Sequence, residues 1–163
     1  MENNAAILKT AIVKSLKELL LKDNAHVSLA DAVKDLPPKL RGVVPESLPY
    51  SIWQLVEHIR IAQKDILEFS RDPEYQSPRW PEGYWPAEPA PKNGEAWDSS
   101  LAQIKTDLKA FILLLEAPDA ALFTPFAHGS GQHLFREAVL IADHTSYHTG
   151  EIVAIRRLLG AWK

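Results

Sequence analysis

The chain has 163 residues, with 46% hydrophobic and 24% charged, and 18 Lys plus Arg against 21 Asp plus Glu. That length fits one domain, and a chain of 18.3 kDa buries roughly 69% of its unfolded surface. The composition excludes a disordered chain, a collagen and a disulfide miniprotein, and a net charge of −3 disfavours nucleic-acid binding. Cysteine is absent, which excludes disulfides, iron–sulfur clusters, thiolate zinc sites and a cysteine nucleophile.

The N-terminus lacks the basic start and apolar core of a signal peptide. The longest apolar runs, such as 111–115, fall far short of a membrane span. The expectation is a cytoplasmic protein with no membrane partner.

Helical periodicity opens the chain. Leu8, Ile12, Leu16 and Leu19 form a stripe, with Lys9, Lys14, Lys17 and Lys22 mostly off it. A short segment follows from Ser28, a predicted N-cap, to Leu36 before Pro37-Pro38. Ser51 and Gln54 match a capping box for a long helix striped by Leu55, Ile59, Ala62, Ile66 and Phe69. Pro73 stops that helix.

Six prolines lie between Pro73 and Pro91, so no helix or central strand survives there. Tyr75, Trp80, Tyr84 and Trp85 lie in this loop and predict that it packs down. It either shields a site or plugs the flank of the fold. Trp97, Leu101, Ile104, Leu108, Phe111 and Leu115 then form an a/d seam that ends before Pro118. A last long helix carries Leu134, Ala138, Ile141, Thr145, Ile152 and Leu159, capped at Ser130 or nearby and ended by Gly160. Nothing alternates with period two. The prediction is an all-α four-helix bundle spanning 1–163 as a single domain, with one extra short helix and a long Pro/Trp-rich loop. The long connection predicts crossovers.

The chemistry-bearing pair is His144 and His148. Residues four apart share a helix face, about 6 Å between Cβ atoms, and two such imidazoles can grip one metal ion. The zincin general base is missing, because Thr145 stands where that Glu would be. At about 100° per residue, His148 lies roughly 20–40° from the apolar centre and His144 roughly 60–80°. Glu151 projects close to His144 and is a candidate to orient a ligand imidazole. His58 sits at the edge of its own stripe, with Glu57 beside it and Asp65 two turns on. A third imidazole from a facing helix would complete a His₃ set, but no spacing joins His58 to the pair. Ordinary packing histidines remain the alternative at this point.

Three stretches carry a resemblance. They are Ser51-Ile-Trp-Gln-Leu-Val-Glu-His-Ile-Arg-Ile-Ala-Gln-Lys-Asp-Ile-Leu-Glu-Phe, Trp80-Pro-Glu-Gly-Tyr-Trp-Pro, and Ala142-Asp-His-Thr-Ser-Tyr-His-Thr-Gly-Glu-Ile-Val-Ala-Ile-Arg-Arg-Leu-Leu-Gly-Ala-Trp. Together they resemble the DinB-like superfamily, from about His26 to the C-terminus. The resemblance implies a four-helix bundle with a divalent metal, zinc or nickel, held by His58, His144 and His148. It also implies a metal-dependent S-transferase using bacillithiol, mycothiol or glutathione, a maleylpyruvate isomerase, or a member with no known activity; a metal-dependent hydrolase is a further expectation for such a site.

A small-molecule substrate is expected; if the chemistry is the thiol transfer that the resemblance implies, a low-molecular-weight thiol is the cosubstrate, since the chain has no Cys. Glu57, Asp65 and Glu151 are candidates for supporting the ligands or moving a proton. The other reading is a non-catalytic bundle that holds a metal or small ligand, as a homodimer through one face. His26 and His128 read as loop residues, and His133 as a first-turn residue about 16 Å along the axis from His144. Arg156 and Arg157 suit a helix C-terminus and need no ligand.

Overall fold

Capping side chains and prolines set the helix ends. The computed structural model describes residues 2–22 and 25–162. Its helices are α1 (Glu2–Leu21), α2 (Leu29–Val33), α3 (Ile52–Arg71), α4 (Gly94–Glu116) and α5 (Leu134–Leu158), with 3₁₀ turns at Pro38–Leu40 and Glu82–Tyr84. Among the described residues there is no strand, so the fold is all-α. Among the described residues no helix is long and apolar enough to cross a membrane.

Ser51 caps α3 as expected. Its hydroxyl accepts from Gln54 N, and the Gln54 side chain accepts from Ser51 N, both at 3.1 Å. Ser28 caps α2 by accepting from Asp31 N. Gly160, at φ 64°, follows the end of α5, where the left-handed conformation suits glycine.

Three local expectations need correction. The cap of α5, expected at Ser130 or nearby, is His133, which accepts from Arg136 N and so stands before the first turn, not within it. α2 stops at Val33, short of Leu36: Asp35 takes φ 53° and turns the chain ahead of Pro37-Pro38. On α1 only part of the stripe points inward. Leu16 is buried, and Ile12, Val13 and Leu20 pack beside it, while Leu8 and Leu19 are exposed. The inward face therefore runs through Leu20, one position beyond Leu19.

α3 and α4 run parallel. The Trp53 and Trp97 rings lie 6.3 Å apart, Ser100 donates to Glu57, and Gln63 Nε2 donates to Ile104 O at 2.7 Å. Parallel neighbours need a connection that returns the length of the helix. The proline loop supplies it as the predicted crossover, passing Pro86 O against Gln54 and Pro89 O against Ser51. α3 and α5 run antiparallel. Ile52, Val56 and Ile59 share one core cluster with Ile152 and Ile155, and Leu67 shares the other with Leu134 and Ala138. α1 packs on α4 and α5. Lys9 Nζ donates to Pro118 O at 2.9 Å, just past the C-terminus of α4, where a cation is favoured.

The two clusters fill the bundle from end to end. Burial of a side chain such as Phe111 or Leu115 contributes about 1.5–3 kcal/mol. Arg156 does more than face a helix end. It is buried, donates to Ala32 O at 2.7 Å, Lys34 O at 2.8 Å and Ala161 O at 3.0 Å, and lies 5.0 Å over the Trp162 ring. It ties the end of α2 to α5.

Candidate metal centre

The antiparallel register of α3 and α5 brings His58 opposite the His144–His148 face. His58 and His148 are buried and His144 is half-buried. One ring nitrogen from each lies within 4.8 Å of the others. The Nε2 atoms of His58 and His144 stand 3.0 Å apart. The rings pack in pairs, with centroids 4.5 to 4.8 Å apart.

Hydrogen bonds assign the tautomers of two of these rings. His58 Nδ1–H donates to Tyr84 O at 2.9 Å, which leaves a lone pair on Nε2. His148 Nδ1–H donates to Glu151 Oε2 at 2.7 Å, which again leaves Nε2. Burial drives the His148 pKa down to about 4, with the His58 charge adding to it. Burial also drives His144 to about 4, reinforced by His148 and His58. His58 is lowered by burial, against the pull of Tyr84 O and Glu151. All three are therefore neutral near pH 7, the form that binds a metal.

This donor set fits a divalent ion. Ligand nitrogens about 2.0–2.1 Å from a tetrahedral ion stand roughly 3.3 Å from each other, close to the 3.0 Å between His58 and His144. Three imidazoles suit zinc, nickel, copper and iron alike. A carboxylate or carbonyl behind each of two imidazoles is the usual support of such ligands.

The proline loop forms one wall. Trp85 stacks on His58 at 3.9 Å and 5° between planes, and on Tyr50 at 4.7 Å and 13°. Tyr84 O–H donates to Asp65 Oδ2 at 2.6 Å, so the carbonyl that holds His58 is itself anchored to α3. Burial and the Asp65 carboxylate raise the Tyr84 phenol well above its ordinary range, which keeps it a donor. Trp80, by contrast, is exposed and meets Tyr84 edge-on at 5.3 Å. Tyr147, also exposed, sets its ring edge-on to His148 at 5.0 Å.

The three acidic candidates occupy different places. Glu151 meets a site imidazole, but it is His148 and not His144, because three residues along the helix bring its carboxylate back over Nδ1. Asp65 acts one step removed, through Tyr84. Glu57 faces α4, where it pairs with Arg60 Nε at 2.8 Å and accepts from Ser100. Burial pushes the Glu57 carboxyl up, but the bonds from Arg60 and Ser100 outweigh that and hold it low. It bonds none of the three imidazoles. The remaining histidines are apart from the cluster: His26 contacts Ser146, His128 contacts Phe69 O, and His133 caps α5. The Tyr50–Trp85–His58 stack has no sequence signal, since Tyr50 sits in no motif.

The model of the DinB superfamily matches residues 23–152. The chain belongs to the DinB superfamily. No curated protein and no solved structure matches it. The DinB match contains all three histidines, the proline loop and most of α5, and leaves α1 outside. The DinB chain thus has a three-histidine cluster compatible with metal binding, supported by one carboxylate and one backbone carbonyl.

Proposed function

We propose that this protein is a divalent-metal-dependent enzyme acting on a small molecule, with His58, His144 and His148 holding zinc or nickel. The observation that carries this reading is the 3.0 Å approach of the His58 and His144 Nε2 atoms. His58 Nε2 offers a lone pair, and a neutral His144 with its proton on Nδ1 offers a second to the same cation. A bound ion supplies a Lewis acid that lowers the pKa of a thiol or water near it. Three protein ligands leave room for that thiol or water, as catalytic sites do and closed structural sites do not.

The residues of the chain then have defined tasks. Glu151 holds the Nδ1 proton of His148 and Tyr84 O holds that of His58, so both Nε2 atoms stay available. Trp85 covers one face of His58 and keeps water off it. The nucleophilic thiol, if the reaction is S-transfer, comes from a cosubstrate, because the chain contains no Cys. Thiol-dependent S-transfer is our preferred reaction; hydrolysis is the second.

Elemental analysis of untagged protein, beside His58→Ala and His148→Ala, tests the site. Near one equivalent of zinc or nickel, lost in both variants, supports it. Absence of metal after loading with either ion would sink the proposal. Removing metal separates an enzyme from a structural staple. A catalytic site leaves the metal-free bundle folded by circular dichroism, whereas a staple leaves it unfolded. Transfer of a thiol to a reactive electrophile, dependent on the metal, would then identify the reaction.

A further inference from the structure

Ser146 and His26 stand 120 residues apart in the chain and meet on the side of α5 turned away from the metal centre. At about 100° per residue, Ser146 lies roughly 200° around the helix from His144. His26 reaches it from the turn between α1 and α2, and Ser146 Oγ stands 2.8 Å from His26 Nε2. The other ring nitrogen, Nδ1, stands 2.9 Å from Val27 O. A carbonyl only accepts, so Nδ1 carries the hydrogen and the neutral ring keeps its lone pair on Nε2. The Ser146 hydroxyl therefore donates to His26.

This is not how the other helix hydroxyls of the chain are satisfied. Thr10, Ser70 and Thr106 each donate to the carbonyl one turn back. Ser146 donates instead to a base on another element, and that base is held from behind. A hydroxyl within hydrogen-bond reach of an oriented imidazole is the arrangement that makes serine a nucleophile. Both residues line a cavity of about 710 Å³, within the range of small-molecule sites. Leu19, Leu29, Leu101 and Leu108 give it an apolar wall, and none of His58, His144 and His148 lines it. Ser146 is half-buried and His26 exposed, so a ligand in the cavity can reach the pair.

Two features set the class of substrate. The group behind His26 is a neutral carbonyl, and loss of the carboxylate from a serine triad costs about 10⁴ in kcat. Ser146 also sits inside α5, where backbone N–H groups are spent on the helix, and each missing oxyanion donor costs about 10²–10³. Amides are thus out of reach, and esters with a good leaving group are within it.

We propose that Ser146 and His26 form a second reactive site, a nucleophile and its general base, for activated esters of short apolar acyl groups. Ser146 Oγ attacks the acyl carbon as its proton passes to His26 Nε2. The bond to the leaving oxygen breaks, and that oxygen takes the proton from His26. Water then attacks the acyl-serine and gives a proton to Nε2, the acyl–Oγ bond breaks, and Oγ takes that proton back. One ester and one water become one acid and one alcohol. The two sites share no residue, so this inference stands without the metal reading.

An alkyl fluorophosphonate, incubated with the full chain before and after chelation, tests the nucleophile. The expected result is one phosphonyl group per chain, on Ser146 by peptide mass spectrometry, at a rate unchanged by chelation. His26→Gln still accepts from Ser146 through its amide oxygen but takes up no proton, so its labelling should slow about 100-fold or more. p-Nitrophenyl acetate, butyrate and hexanoate test the cavity: each added methylene should raise kcat/KM about fourfold, and Ser146→Ala should lose the reaction. Labelling at another residue or at none, wild-type labelling of His26→Gln, equal rates for the three esters, or full hydrolysis by Ser146→Ala would overturn the proposal.

Discussion

Glu151 and His148 form a 2.7 Å contact between a carboxylate and the Nδ1 of a buried imidazole. The contact sets which nitrogen of His148 is free, and so couples a residue outside the cluster to the cluster's geometry. Glu151→Gln keeps the shape and removes the charge. We expect metal affinity to fall about 10–100-fold while the helical circular dichroism stays unchanged. Competition with a chelator of known affinity measures it. Unaltered affinity would leave Glu151 with no positioning role.

Metal binding to the folded state alone raises stability by mass action. At a free metal concentration of one hundred times Kd the gain is about 2.7 kcal/mol. Thermal melts of the wild type with and without added zinc should show that shift. His58→Ala, which removes one imidazole of the three, should show almost none.

Trp85 is half-buried between Tyr50 and His58. A fully buried Trp→Ala change costs about 3–5 kcal/mol, so a half-buried one should cost about 2 kcal/mol. Urea unfolding of metal-free Trp85→Ala checks this. The same variant uncovers one face of His58, and metal should exchange faster from it. A variant with wild-type stability and exchange would show that the loop is not a wall of the site.

Arg156 is buried with three carbonyl partners, on α2, just past its end and beyond α5. Arg156→Met leaves those acceptors unpaired and should cost about 3 kcal/mol in urea unfolding. Arg156→Lys should recover only part of this, because an ammonium cannot reproduce the planar fork of donors. Full recovery by lysine would show that charge alone matters.

Much of this architecture was legible in local sequence. Ser51 and Gln54 announce the start of α3, Pro73 its end, and the Trp97–Leu115 seam announces α4, because caps, prolines and periodicity act within a few residues. The His144–His148 pair was legible for the same reason: a four-residue step places both rings on one helix face. The errors were local as well. A histidine took the cap expected at Ser130 or nearby, and Leu20, one position past Leu19, carries the inward face of α1.

By itself the sequence determined an all-α fold, a crossover loop and three histidines worth joining, the last through its family resemblance. Only the tertiary structure decided that His58 meets His144, that Tyr84 O and Glu151 set the tautomers, and that Trp85 stacks on the site. It alone placed Glu57 against α4 and paired Ser146 with His26 beside a cavity. The physical reason is range. Caps and stripes depend on neighbours a turn away, whereas these contacts depend on how α3, α5 and the loop sit against one another, and packing of distant segments sets that.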